Sequence, residues 1–270
     1  MHQMAISLTI AIDLDNTVWY GNYQRHGYIF SELLYRLKNA YDFSTSIHFP
    51  FDQFLIGWNV YTANLHLTAP EQLDMFLNLL IAGGFLHFEK KDEKKYFRQE
   101  CEKWIDERYW HLVYHPEDFY IATSFYEYGR KVCLVPGIEK TITFLRQQKR
   151  EKKLKIYAVS LNLQQISQKI GTMLSIEDVF DEVYGVTWNK PSPMKEEILR
   201  KILAEHHGNS NQVVIIGDAV GDITVGQKVG VKTVAIATGP TPYSELLACK
   251  PDKILARWPE NMDEIEHVFS

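Results

Sequence analysis

Two carboxylates spaced i and i+2, Asp13 and Asp15, follow the apolar run Leu8–Ile12, and the hydroxyl of Thr17 comes two residues later. On an extended chain these positions share a face, so both acids crowd into one place, where like charges repel unless a cation compensates them. Three more apolar segments end in polar groups. Ser160 follows KIYAV, Lys190 lies in WNKPSP after EVYGV, and Asp218 and Asp222 follow VVIIG in GDAVGD. In an open parallel sheet, ligands bind beyond the carboxyl ends of the strands, so these four endings are expected to converge.

Such convergence needs strands alternating with helices. Strands are expected at Leu8–Ile12, Leu154–Val159, Glu182–Val186, Gln212–Ile216 and Val231–Ile236, short apolar runs suited to burial on both faces. Helices are expected at Ile138–Lys149, Leu163–Leu174, Pro193–His206, Ile223–Val229 and Tyr243–Ala248, with Pro136-Gly137 and Pro191–Pro193 as starts and stops. This order implies an α/β core with a parallel sheet. The stretch Trp19–Arg130 differs: it has several apolar-periodic helices and holds 27 of the chain's 35 Phe, Trp and Tyr residues. A separate, mostly α-helical unit inserted after the first strand explains the bias, its large side chains filling a core of their own. The expected division is 1–18 with 131–270 as the core and 19–130 as the insertion.

Composition narrows the function classes. With 46% hydrophobic and 23% charged residues, the chain of 270 is an ordinary folded one, and a net charge of −5 offers no overall attraction to nucleic acid or anionic membrane. Cys101, Cys133 and Cys249 are odd in number and lack CxxC spacing, which favours a reducing compartment over a disulfide framework. No signal peptide is read in MHQMAISLTIAIDLD, and LDMFLNLLIAGGFL at 73–86 is too short and polar to span a bilayer. A cytoplasmic, soluble protein is expected. The basic run RQQKREKKLK at 146–155 reads as a solvated helix end, and His111 and His115, with Pro116 following and no third ligand evident, do not make a zinc site.

The ordered set DLDNT, VSLN, NKPSP and GDAVGD resembles the haloacid dehalogenase-like (HAD) hydrolase superfamily, across residues 7–19 and about 131–256. The resemblance implies a Rossmann-like core, the insertion as a helical cap, Mg2+ dependence and phosphoryl transfer through an aspartyl-phosphate. On this pattern Asp13 is the nucleophile. Asp13, the backbone carbonyl of Asp15 and Asp218 hold the metal, and the Asp15 side chain protonates the leaving oxygen and then deprotonates water. Thr17, Ser160 and Lys190 are the phosphate-binding candidates, while Asp222 and Asn162 support them. Because the carbon–halogen branch of the family lacks the second acid, Asp15 argues for phosphate esters. Two departures stand out: Asn16 replaces the usual glycine after Asp15, and Leu161 separates Ser160 from Asn162.

The insertion is expected to choose the substrate, with Trp19, Tyr20, Tyr23 and Arg25 as the specificity residues nearest the aspartates and hinges near Val18–Gly21 and Val132–Val135. The leading reading is a magnesium-dependent phosphomonoesterase acting on a small phosphorylated metabolite. A phosphotyrosine or protein phosphatase, with a phosphoprotein as partner, and a phosphomutase are the enzymatic alternatives. An adaptor that keeps the core only as a scaffold is the non-enzymatic one.

Overall fold

The computed structural model describes residues 8–38, 56–57, 59–60, 63, 67–115, 132–151, 153–188 and 194–269, apart from the side chains of 22–24. The chain divides into two compact units, Met1–Tyr20 with Cys133–Ser270, and Gly21–Val132. The first unit is built on a six-stranded parallel sheet. Its strands are β1 (Leu8–Ile12), β4 (Leu154–Leu163), β5 (Glu182–Val186), β6 (Val213–Gly217), β7 (Lys232–Ile236) and β8 (Lys253–Leu255), in the order β5-β4-β1-β6-β7-β8. β1 is central: Ile12 is registered against Ala158 of β4 on one side and Ile216 of β6 on the other. Its residues 9–12 are buried, as a strand covered on both faces must be.

Helices α4 (Ile138–Arg150), α5 (Gln164–Met173), α6 (Lys195–Glu205), α7 (Val220–Val229), α8 (Tyr243–Ala248) and α9 (Met262–Phe269) accompany the sheet. The short strand β8 and helix α9 lie beyond the elements expected from the sequence, and β4 runs four residues past the expected end at Val159. Its pairing with β5 shifts register between Val159 and Leu163, so the extra stretch is an irregular extension carrying Ser160 and Asn162. Within the basic run, Arg146 pairs with Asp178, Lys149 with Asp181, and Lys155 with Glu205.

Two short strands, β2 (Trp19–Tyr20) and β3 (Cys133–Leu134), pair antiparallel. This pairing keeps both connecting segments with the core, and the division accordingly falls two residues later than expected at each end. The second unit contains, among the described residues, the helices α1 (Asn22–Lys38), α2 (Ala69–Ala82) and α3 (Lys91–Tyr114). Thr68 caps α2, its backbone N–H donating to the Glu71 carboxylate at 2.7 Å. Phe30 packs on Phe76 with ring centroids 5.2 Å apart, and the buried Glu32 carboxylate pairs with Arg36 at 2.6 Å and Arg108 at 2.8 Å. No helix among the described residues is long and apolar enough to cross a membrane.

One long-range contact fixes the turn that follows β1. Asn16 adopts a left-handed φ of 61°, which asparagine accepts more readily than most side chains. The Leu14 carbonyl accepts from Val18 N at 2.8 Å and Trp19 N at 3.2 Å, closing the turn. Trp258, fully buried, donates its indole N–H to the Thr17 carbonyl at 2.7 Å. Trp258→Phe leaves that buried carbonyl without its donor and is expected to cost about 1–3 kcal/mol in urea unfolding; a change indistinguishable from zero contradicts this role.

Candidate active site

Asp13 follows β1, Ser160 lies in the extension of β4, Asp218 follows β6, and Asp222 sits in the first turn of α7. The register of the parallel sheet brings these ends together, and Asp13 N donates to the Ile216 carbonyl at 2.9 Å. Asp13, Asp218 and Asp222 are all buried, and one carboxylate oxygen from each lies within 4.8 Å of the other two.

One cation meets this cluster. Lys195, at the start of α6, donates to Asp13 Oδ1 at 2.5 Å and Asp222 Oδ1 at 2.5 Å. Asp222 also serves its own helix, accepting from Ala219 N at 3.2 Å through Oδ2. It is therefore placed to orient Lys195. Lys190, the phosphate-binding candidate, lies outside the described residues, and among the described residues the cation seated on Asp13 is Lys195. A sequence signal did point there. A lysine in the first turn of a helix opposes the positive end of the helix dipole, an unfavourable placement unless an anion faces it.

Thr17, a phosphate-binding candidate, donates its hydroxyl proton to Asp218 Oδ1 at 2.8 Å, and both groups are buried. This contact places Thr17 to position Asp218. Two glycines make room for the acids. A Cβ on Gly239 would lie 1.7 Å from Asp218 Oδ2, and one on Gly217 would lie 2.2 Å from Asp222 Oδ2.

Asp15 is half-buried and held at both oxygens. Trp19 Nε1 donates to Oδ1 at 3.0 Å and Asn162 Nδ2 donates to Oδ2 at 3.0 Å. Asn162 N in turn donates to the buried Ser160 hydroxyl oxygen at 3.0 Å. These contacts aim the Asn162 amide at Asp15.

The four expected specificity residues fare differently. Trp19 is buried against Asp15, and Tyr20 donates its hydroxyl proton to the Thr238 carbonyl at 2.9 Å. Arg25 is fully buried within the helical unit, donating to the Gly21 carbonyl at 2.6 Å and the Leu112 carbonyl at 3.3 Å, so it is a structural residue there. The Tyr23 side chain lies outside the described residues. His111 and His115 stack on each other with centroids 4.8 Å apart, and among the described residues only the three-aspartate cluster gathers ligand atoms that could hold a metal.

Electrostatics follow from burial. Desolvation raises the Asp13 carboxyl to about 7, with Lys195 opposing and Asp222 and Asp15 adding to the rise. Desolvation also raises Asp218 well above the usual carboxylate range, reinforced by Asp13 and Asp222 and opposed by Thr17 and Lys195. Burial disfavours the charged Lys195, but the neighbouring charges of Asp13 and Asp222 outweigh it and hold the ammonium protonated. Among the described residues, three carboxylates against one ammonium leave an excess of two negative charges when all are ionised. An all-oxygen donor set with that excess fits a hard divalent cation such as Mg2+.

Comparison with known proteins agrees with this layout. Residues 64–236 match the family described as haloacid dehalogenase-like hydrolase. A phosphoglycolate phosphatase from Aquifex aeolicus is 30% identical over 125 residues, covering 45% of this chain and 54% of that protein, so the chain spans about half the length of this curated relative. Among solved structures, a β-phosphoglucomutase from Clostridium difficile superposes with a TM-score of 0.59 at 16% identity, covering 98% of this chain and 97% of that one. A protein from Bacillus subtilis classed as a HAD-hydrolase and solved bound to magnesium gives 0.58 at 14% identity, covering 97% and 98%. A haloacid dehalogenase-like family hydrolase from Streptococcus pneumoniae gives 0.55 at 19% identity, covering 99% and 100%.

The raised carboxyls set the pH dependence of stability. An unfolded aspartate loses its proton near about 3.9. Between there and about 7 the folded chain binds more protons than the unfolded one, so this contribution is complete at low pH and is lost as pH rises through about 7. Removing Lys195 takes away the compensating charge where the carboxylates are ionised. In EDTA, Lys195→Met is expected to melt further below wild type at about pH 8 than at about pH 5, with a penalty of about 3–5 kcal/mol at the higher pH. A penalty independent of pH in calorimetry contradicts the pairing.

Proposed function

The chain belongs to the haloacid dehalogenase-like hydrolases, and from that premise we propose that it hydrolyses the phosphate monoester of a small metabolite, with Mg2+, through a phosphoryl group carried on Asp13. The observation that carries this reading is the convergence of Asp13, Asp218 and Asp222 on one buried point with Lys195 as their counter-charge.

An Asp13 oxygen attacks phosphorus and the ester oxygen leaves, taking a proton from Asp15. Water then attacks phosphorus, Asp15 accepts its proton, and Asp13 and inorganic phosphate are released. A carboxylate approaching a phosphate dianion is repelled. Mg2+, held by Asp13, Asp218 and the Asp15 backbone carbonyl, supplies the neutralising charge when bound. Lys195, oriented by Asp222, carries positive charge at Asp13, and Ser160 and Lys190 are assigned to the phosphate oxygens. The magnesium-bound Bacillus protein of the same fold supports the choice of metal, and the relative named phosphoglycolate phosphatase supports a small phosphorylated substrate. The odd number of cysteines and their lack of CxxC spacing support a reducing, cytoplasmic setting.

Phosphate release is the direct test, across phosphoglycolate, sugar phosphates, nucleotides, an aryl phosphate and a phosphotyrosine peptide. Release is expected to need Mg2+ and to vanish in Asp13→Asn; release that survives either removal contradicts the reading. Gly239→Ala pushes a methyl into the Asp218 carboxylate and is expected to raise the Mg2+ concentration required by about 10–100-fold. An unchanged requirement removes Asp218 from the metal.

A further inference from the structure

Asp15 is gripped from two separate elements. Trp19 Nε1, on β2, reaches Oδ1 at 3.0 Å, and Asn162 Nδ2, on the irregular end of β4, reaches Oδ2 at 3.0 Å. One donor leaves a carboxylate free to rotate about its Cβ–Cγ bond. Donors on opposite oxygens fix both its position and its plane, and a carboxylate has several lone-pair sites, so two donors do not exhaust it.

Each arm is itself braced. Asn162 Oδ1 accepts from Leu163 N at 2.8 Å, which forces the Nδ2 end of the amide toward Asp15. The Trp19 ring is 1% exposed, and its backbone is tied on both sides, Trp19 N donating to the Leu14 carbonyl at 3.2 Å and Trp19 pairing with Leu134 of β3. A core tryptophan needs some acceptor for its indole N–H. Here the acceptor is the side chain whose orientation the chemistry depends on.

We propose that Trp19 and Asn162 are positioning residues that together hold the Asp15 carboxylate at the angle needed to protonate the leaving oxygen. The inference rests on the proposed acid role of Asp15. It gives Trp19 a function distinct from substrate contact and gives a reason for the residue inserted between Ser160 and Asn162.

Protonation matters for a poor leaving group and hardly at all for a good one, which separates positioning from mere structural support. The experiment measures kcat/KM for an alkyl phosphate and an aryl phosphate in wild type, Trp19→Phe, Asn162→Ala and Asp15→Asn, with thermal unfolding of each. Phenylalanine keeps an aromatic ring at position 19 and removes the indole donor together with part of the ring's volume, a packing loss that thermal unfolding reports and that falls equally on both substrates. The expected result is an alkyl-to-aryl ratio about tenfold or more below wild type in Trp19→Phe and in Asn162→Ala, and lower still in Asp15→Asn, since general acid catalysis contributes about 10²–10⁴-fold. If Trp19→Phe does not fold, Asn162→Ala decides alone. A low ratio in Asp15→Asn beside wild-type ratios in the folded clamp variants, or equal losses on both substrates, overturns the inference and leaves the acid role standing. A wild-type ratio in Asp15→Asn overturns the acid role and the inference with it.

Discussion

The mutual repulsion of Asp13, Asp218 and Asp222 is the constraint on which the rest of the site depends. Three carboxylates within 4.8 Å and out of water cannot all remain charged without compensation. Lys195 supplies one charge and is held by two of them. What remains is answered by bound protons, as the raised carboxyls show, or by a divalent cation. Burial thus favours the protonated forms of Asp13 and Asp218 in the metal-free protein, and the same excess of negative charge gives the cluster a reason to bind a metal.

The fold exists, in this region, to hold that repulsive cluster in place. β1 lies between β4 and β6, so residues just past its end face groups from both neighbours. Contacts distant in sequence secure Asp218 through Thr17, and Thr17 in turn through Trp258, while Asp15 is held by Asn162 from afar and by Trp19 four residues on. Glycine at 217 and 239 leaves the space that the carboxylates fill. Rigidity of this kind matters for phosphoryl transfer, where positioning and preorganised charge supply most of the catalysis.

Much of this was legible in the sequence because it depends on local pattern. Apolar runs ending in Asp, Ser or Asp-containing turns marked β1, β4 and β6 and put Asp13, Ser160 and Asp218 at their ends. What escaped depends on partners far apart. Lys195 lies five residues past the lysine that the NKPSP motif drew attention to, and only its awkward place at a helix start signalled it. The pairing of Thr17 with Asp218, across 201 positions, leaves no local trace in the sequence. Arg25 and Trp19 are specificity candidates by proximity in sequence to the aspartates, and proximity in sequence says nothing of their burial. The three-residue β8 is too short to show periodicity, whereas α9 does carry a start signal, Asn261 followed by Glu264, whose N–H donates to Asn261 Oδ1 at 2.9 Å, so short α9 was legible although the expected elements omit it.

The central claim is that phosphorus passes through Asp13. Rapid acid quench of the protein mixed with radiolabelled phosphate monoester and Mg2+, followed by peptide mapping, tests it directly. The expected result is transient label on the peptide that contains Asp13, released by hydroxylamine as an acyl phosphate must be, and absent from Asp13→Asn. Turnover with no labelled protein at any time point, or label on a different residue, contradicts the account.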